Sequence, residues 1–226
     1  MSAVSAPHIN PIRVDAGLDG PLSRWLWLVK WLLALPHYVI LWLLGIVYTA
    51  LSLVALIAIL FTGRYPRAIF EFNVGVLRWS WRVAYYSYGA LGTDRYPPFT
   101  LAEVPDYPAR LEIAYPEQLS RGLALVKWWL LAIPHYLVLA VFLGGLRYGW
   151  AAPSFGLLGI LVLIAGFALA FTDRYPPELF DLVMGINRWV LRVVAYASLM
   201  TDQYPPFRLD QGSREPVEPV GPADRV

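Results

Sequence analysis

The chain has 226 residues, 58% of them hydrophobic and only 15% charged, with a mean hydropathy of +0.52 and a net charge of +2. Soluble domains carry charge on about a quarter of their residues, so this composition excludes an ordinary water-coated globule and points to a membrane protein. There is no cysteine, which also excludes disulfides, thiolate metal sites and cysteine nucleophiles.

Residues 1–10 are polar and read as a disordered tail, as do residues 208–226. The first 20 residues have no apolar core, so no cleavable signal peptide is expected. Between the tails one unit occurs twice, at 11–99 and 108–207, joined by a linker at 100–107. PIRVDAGLDGPLSR (11–24) aligns with PARLEIAYPEQLSR (108–121), and WLLALPHY (31–38) with WLLAIPHY (129–136). FTGRYPRAIFEFNVGVLRWSWRV (61–83) aligns with FTDRYPPELFDLVMGINRWVLRV (171–193), and TDRYPPF (93–99) with TDQYPPF (201–207).

In the first copy, residues 25–61 are almost unbroken apolar sequence. As one helix they would be roughly 55 Å long, against a hydrocarbon core of about 30 Å. A hairpin with its turn near Gly45–Tyr48 is expected; the alternative is a break at Pro36, with one in-plane helix and one span from 37 to 61. The second copy reads as a span at 122–143, a Gly- and Pro-containing loop at 144–154 and a second apolar run at 155–172. Helices are expected because lipid offers free backbone groups no hydrogen-bond partner, and the short alternating strands of a barrel are absent.

The third element of each copy is amphipathic. Over residues 67–91, Glu71, Gly75, Arg78 and Arg82 form one helical stripe, repeated as Asp181, Gly185, Arg188 and Arg192. Such a helix suits the membrane surface, and Arg78, Arg82, Arg188 and Arg192 are candidates for binding anionic lipid. Spanning with the stripe turned inward is the alternative. Strands 99–104 and 109–114 are candidates for a hairpin through PDYP, with charged and apolar alternation also at 13–15; plain linkers are the other reading. The fold class expected is an all-α membrane protein of two parallel repeats, each a transmembrane hairpin followed by an interfacial helix, with any short strands on the cytoplasmic side. Every Lys and Arg except Arg147 then lies on one side, which places the protein in the inner membrane with both termini cytoplasmic.

Lys30 and His37 in the first copy, and Lys127 and His135 in the second, are intramembrane polar candidates. Pro36 and Pro134 each free a helix carbonyl beside an imidazole, and an ionisable residue in a span suggests function. Each His satisfying local packing, and each Lys reaching for the interface, is the plainer reading. The turns holding Arg64, Tyr65, Arg95, Tyr96, Arg174, Tyr175 and Tyr204 read as helix stops anchored at the headgroups, with headgroup binding by Arg as the functional alternative. No metal site, cofactor or catalytic residue is expected: the only other His is His8, and no Walker loop, GxSxG or HExxH occurs.

The motifs LPH/IPH, FTGRYP, RWxxRV and TDRYPPF together resemble a bacterial family of membrane proteins known only as a domain of unknown function. The resemblance implies location and architecture and brings no activity. Asp173 stands where the first copy has the motif's Gly63. The function expected is a non-catalytic scaffold or accessory subunit contacting the lipid bilayer, anionic lipid headgroups and a membrane protein partner or a second copy of itself, with no nucleic acid. The alternative is a small transporter or channel with a pathway between the repeats near His37 and His135.

Overall fold

The computed structural model describes residues 10–144 and 156–214; the tail residues 1–9 and 215–226, and most of the expected loop including Arg147, lie outside the described residues. The described residues are mostly helical, with two short strands.

The lead of each copy forms a strand, β1 (Ile12–Ala16) and β2 (Ala109–Ile113). Alternation puts Ile12, Val14 and Ala16, and Ala109, Leu111 and Ile113, on a buried face. The strands pair antiparallel with each other, Ile12 opposite Ile113 and Ala16 opposite Ala109. The hairpin expected between 99–104 and 109–114 does not form, because the carbonyls of Thr100 and Ala102 are taken by Arg82.

α1 (Lys30–Thr62) follows a single 3-10 turn at Leu26–Leu28. It is one helix of 33 residues, with neither a turn at Gly45–Tyr48 nor a break at Pro36. The loop residues that separate the apolar runs of the second copy have no counterpart here, since the repeat offset grows from 98 at residues 31–38 to 110 at residues 61–83. With no turn chemistry available the helix continues, and Thr49 Oγ1 donates back to the Gly45 carbonyl at 2.8 Å. Gly63 ends α1 in the left-handed region (φ 71°), its N–H donating to the Ile59 carbonyl at 2.8 Å.

The second copy is less regular. Ser120 caps α3 (Arg121–Val126), a π turn follows at Lys127–Leu131, and α4 (Ile133–Leu143) leaves at a 41° bend with Pro134 in its first turn. α5 (Leu157–Thr172) ends at Asp173, again left-handed. Thus the Pro-His pair bends the second copy and leaves the first unbroken. α1 is long and apolar enough to cross a membrane by itself, α3–α4 is a second candidate if the bent pair is one span, and α5 is apolar but only 16 residues long. Among the described residues the four spans expected from two hairpins are not seen, and the one-sided topology that rested on them is not shown.

α2 (Arg67–Tyr86) and α6 (Pro177–Ala197) are the most enclosed elements, where a surface location was expected. α2 packs on α1 and β2; α6 packs on α5 and β1. Each therefore carries polar segments on one face and an apolar helix on another. Residues 100–107 and 209–213, expected as linker and tail, are part of this packing: Tyr107 is buried, and the Ser213 carbonyl accepts from the Ala16 N–H at 2.9 Å.

A proline in place of Ile46 is expected to lower stability by about 3 kcal/mol, because it breaks a continuous helix. Gly45→Ala should raise stability by about 0.5–1 kcal/mol, since its Cβ would meet nothing within 4 Å. Unfolding in detergent, followed by circular dichroism, checks both; a turn at 45–48 would reverse their order.

Candidate functional site

The intramembrane candidates lie in one arrangement built twice. Lys30, the first residue of α1, has a side chain 2% exposed. Its ammonium donates to the Thr93 carbonyl at 2.7 Å, pairs with Asp94 at 2.8 Å and faces the Tyr86 ring at 5.0 Å. Lys127 does the same with the Thr201 carbonyl (2.8 Å), Asp202 (2.7 Å) and Tyr196 (5.6 Å). A buried ammonium is tolerated only when its donors are met and its charge is paired, and here Thr, Asp and Tyr do both.

The imidazoles sit in aromatic boxes. Trp79 Nε1 donates to His37 Nδ1 at 3.1 Å, and the His37 ring stacks on Phe99 with centroids 3.9 Å apart. Trp189 donates to His135 Nδ1 at 3.2 Å, and His135 stacks on Phe207 at 4.3 Å. An imidazole that accepts at Nδ1 carries its proton on Nε2 and is neutral. Both Nε2 atoms are buried with no hydrogen-bond partner among the described residues. Tyr96 and Tyr204 complete the boxes, donating from their hydroxyls to the carbonyls of Leu33 (3.1 Å) and Leu131 (3.2 Å).

TDRYPPF and TDQYPPF are therefore clasps: Thr and Asp hold the Lys, while Tyr and Phe hold the His. Asp94, Asp202, Trp79, Trp189, Phe99 and Phe207 were not singled out from sequence. Their signal was available, for each recurs in the other copy at an offset of 108 or 110. The two His are not brought together: Trp79 and Trp189 belong to separate apolar clusters.

The Arg stripes turn inward. Arg78 donates to the Leu111 carbonyl at 3.0 Å, and Arg82 to the carbonyls of Ala102 (3.0 Å) and Thr100. Arg188 donates to the carbonyls of Val14 (3.1 and 2.9 Å), Gly212 (3.0 Å) and Asp210, and Arg192 pairs with the Asp210 carboxylate at 2.7 Å. Arg82, Arg188 and Arg192 are at most 2% exposed, so these three do not present forks to headgroups. Burial pulls Arg82 below its ordinary range, with Tyr107 opposing the shift. Gly75 lies in the stripe because a Cβ there would come within 2.9 Å of Leu101.

The turn residues divide. Tyr65 and Tyr175 are buried core rather than headgroup anchors, with Tyr65 accepting from Asn73 at 3.0 Å and Tyr175 donating to the Ala90 carbonyl at 3.0 Å. Arg64, Arg95, Tyr96, Arg174 and Tyr204 are exposed. Arg95 is held by the Asp106 carbonyl at 2.7 Å. Among the described residues no three His, Asp or Glu side chains form a group that could hold a metal ion.

The sequence profile of the domain of unknown function DUF4389 matches residues 24–100 and 153–208. The chain belongs to this family, and the two matched regions fit a domain present in two copies. No curated protein and no solved structure matches the chain.

Asp94→Ala leaves the Lys30 ammonium enclosed without its carboxylate and is expected to lower stability by about 3 kcal/mol. Adding Lys30→Met to that variant should recover much of the loss, because no unpaired charge remains. A double-mutant cycle by denaturant unfolding in detergent measures this; independent, additive effects would remove the clasp from its structural role.

Proposed function

We propose that the chain is an integral membrane protein without a catalytic centre, a scaffold or accessory subunit that contacts anionic lipid and a partner protein. The observation that carries this is the uncovered face of α1. Lys30, Ala34, His37, Ala55 and Ile59 turn toward the protein, while Trp42 (67% exposed), Val39, Leu53, Ile57 and Phe61 stand clear of it. From 31 to 62 the helix has no charged residue. In water this face would be a contiguous apolar patch far larger than monomers expose; lipid tails cover it without cost. α4 and α5 add Leu137, Val141, Phe167 and Phe171 to the same kind of surface.

The non-catalytic part rests on how the reactive side chains are used. The two Lys are paired, the two His accept from indoles, and the buried Arg are spent on carbonyls and a carboxylate. A proton or ion pathway at His37 and His135 has less support, because each ring is enclosed in its own aromatic box.

In lipid vesicles, a variant retaining only Trp42 of the ten tryptophans should be quenched by brominated acyl chains. Wild-type vesicles should hold a proton gradient as well as empty ones. Monomeric, folded material in detergent-free buffer would sink the membrane reading, and gradient collapse abolished by His37→Phe with His135→Phe would replace the scaffold with a transporter.

A further inference from the structure

The two copies end their apolar helices with different residues, and the difference leaves a cavity. At the end of α5, the Asp173 carboxylate pairs with Arg24, in the turn that precedes Leu26–Leu28 and α1. At the end of α1 the equivalent position is Gly63, and the residue facing it is Arg121, the counterpart of Arg24. A Cβ on Gly63 would lie 3.6 Å from the Leu119 carbonyl oxygen and 3.7 Å from Arg121 Nε, so a carboxylate extending from it on the Arg121 side would reach the guanidinium as Asp173 reaches Arg24. In its place is a cavity of about 420 Å³ lined by Thr62, Gly63, Arg64, Gln118, Leu119 and Arg121. It contains two cationic side chains and no acidic one, and neither guanidinium meets an acceptor among the described residues.

We propose that this cavity binds a phosphate group at the position that the Asp173 carboxylate fills in the other copy. Two arginines lining one cavity, Arg121 with its Nε 3.7 Å from where a Gly63 Cβ would stand, suit a tetrahedral oxyanion with several acceptor oxygens. The Gln118 amide supplies a further donor. Phe61, 77% exposed, stands two residues before Gly63, so an acyl chain could leave the site along α1. That makes an anionic phospholipid the natural bearer of the phosphate. This last step rests on the membrane reading, whereas binding of phosphate does not.

The test uses the full-length protein in neutral detergent, with two probes. One is inorganic phosphate, followed by calorimetry; the other is a short-chain phosphatidylglycerol, with phosphatidylcholine as control. Wild-type protein should bind one equivalent of phosphatidylglycerol. Gly63→Asp should weaken this at least tenfold, because it installs the internal carboxylate; the left-handed position tolerates Asp, as Asp173 shows at φ 58°. Arg121→Gln, an exposed change, should weaken it about tenfold, and Arg121→Lys should recover part of the loss. Asp173→Gly should create a second equivalent beside Arg24. Inorganic phosphate binding with the same dependence on these variants supports the site and makes free phosphate its ligand; lipid binding alone supports the site and makes the headgroup its ligand. Binding unchanged in both Gly63→Asp and Arg121→Gln, or no binding of either probe by folded wild-type protein, overturns the proposal and leaves the membrane reading standing.

Discussion

Arg82, Arg188 and Arg192 are almost wholly enclosed, and an enclosed guanidinium has a charge and five N–H donors to satisfy. The helices that carry them cannot supply the acceptors, since interior helix carbonyls are already bonded. Irregular backbone must come to the side chains instead. Residues 100–102 lie on α2 and residues 210–212 on α6 for this reason, and the glycines of each stripe let the chain approach: a Cβ on Gly185 would stand 3.5 Å from the Asp210 carbonyl. What the stripes hold is thus a polar layer of the protein itself.

Arginines of the two stripes also lock the copies together. Arg78 of the first copy bonds to Leu111 in the lead of the second, and Arg188 of the second bonds to Val14 in the lead of the first. β1 and β2 then pair with each other and not within a copy. The helix ends follow the same exchange: the Gly63 carbonyl accepts from the Leu119 N–H at 2.9 Å, and Asp173 holds Arg24. Two units that read as tandem repeats are therefore not independent bodies. Separated, the second copy would leave the buried Arg188 short of its Val14 acceptor, and the first would leave the half-buried Arg78 short of Leu111.

What could be read from sequence followed from residue identity; what could not followed from context. The duplication, the Lys and His candidates and the absence of familiar catalytic motifs are properties of the string itself. The stripe of Glu71, Gly75, Arg78 and Arg82 was legible as a period but not as a direction, because a row of Arg looks alike whether it meets phosphates or carbonyls. Gly75 was the discriminating residue, since a glycine in mid-helix is costly unless another backbone must pass close. The hairpin in the first copy was carried over from the second by symmetry, yet the turn chemistry resided in the inserted segment that the first copy lacks. Strand pairing was missed because alternation identifies a buried face and says nothing about the partner.

The Pro-His pairs show which part of the unit is fixed. Pro36 sits inside an unbroken run of helix, whereas Pro134 begins a new helix after a π turn and a 41° bend. The clasps are nevertheless the same on both sides: Lys on Thr and Asp, His between Trp and Phe, and Tyr on the carbonyl three residues before the proline. The clasp therefore does not depend on what the helix does beyond it, and it fixes the start of the helix while the apolar arm varies. The constant part buries Lys30, Lys127, His37 and His135, and the two copies differ in the arms with uncovered apolar faces and in the residue, Gly63 or Asp173, at which the last apolar helix of each copy ends. Any division of labour between the copies consequently lies at those surfaces and helix ends.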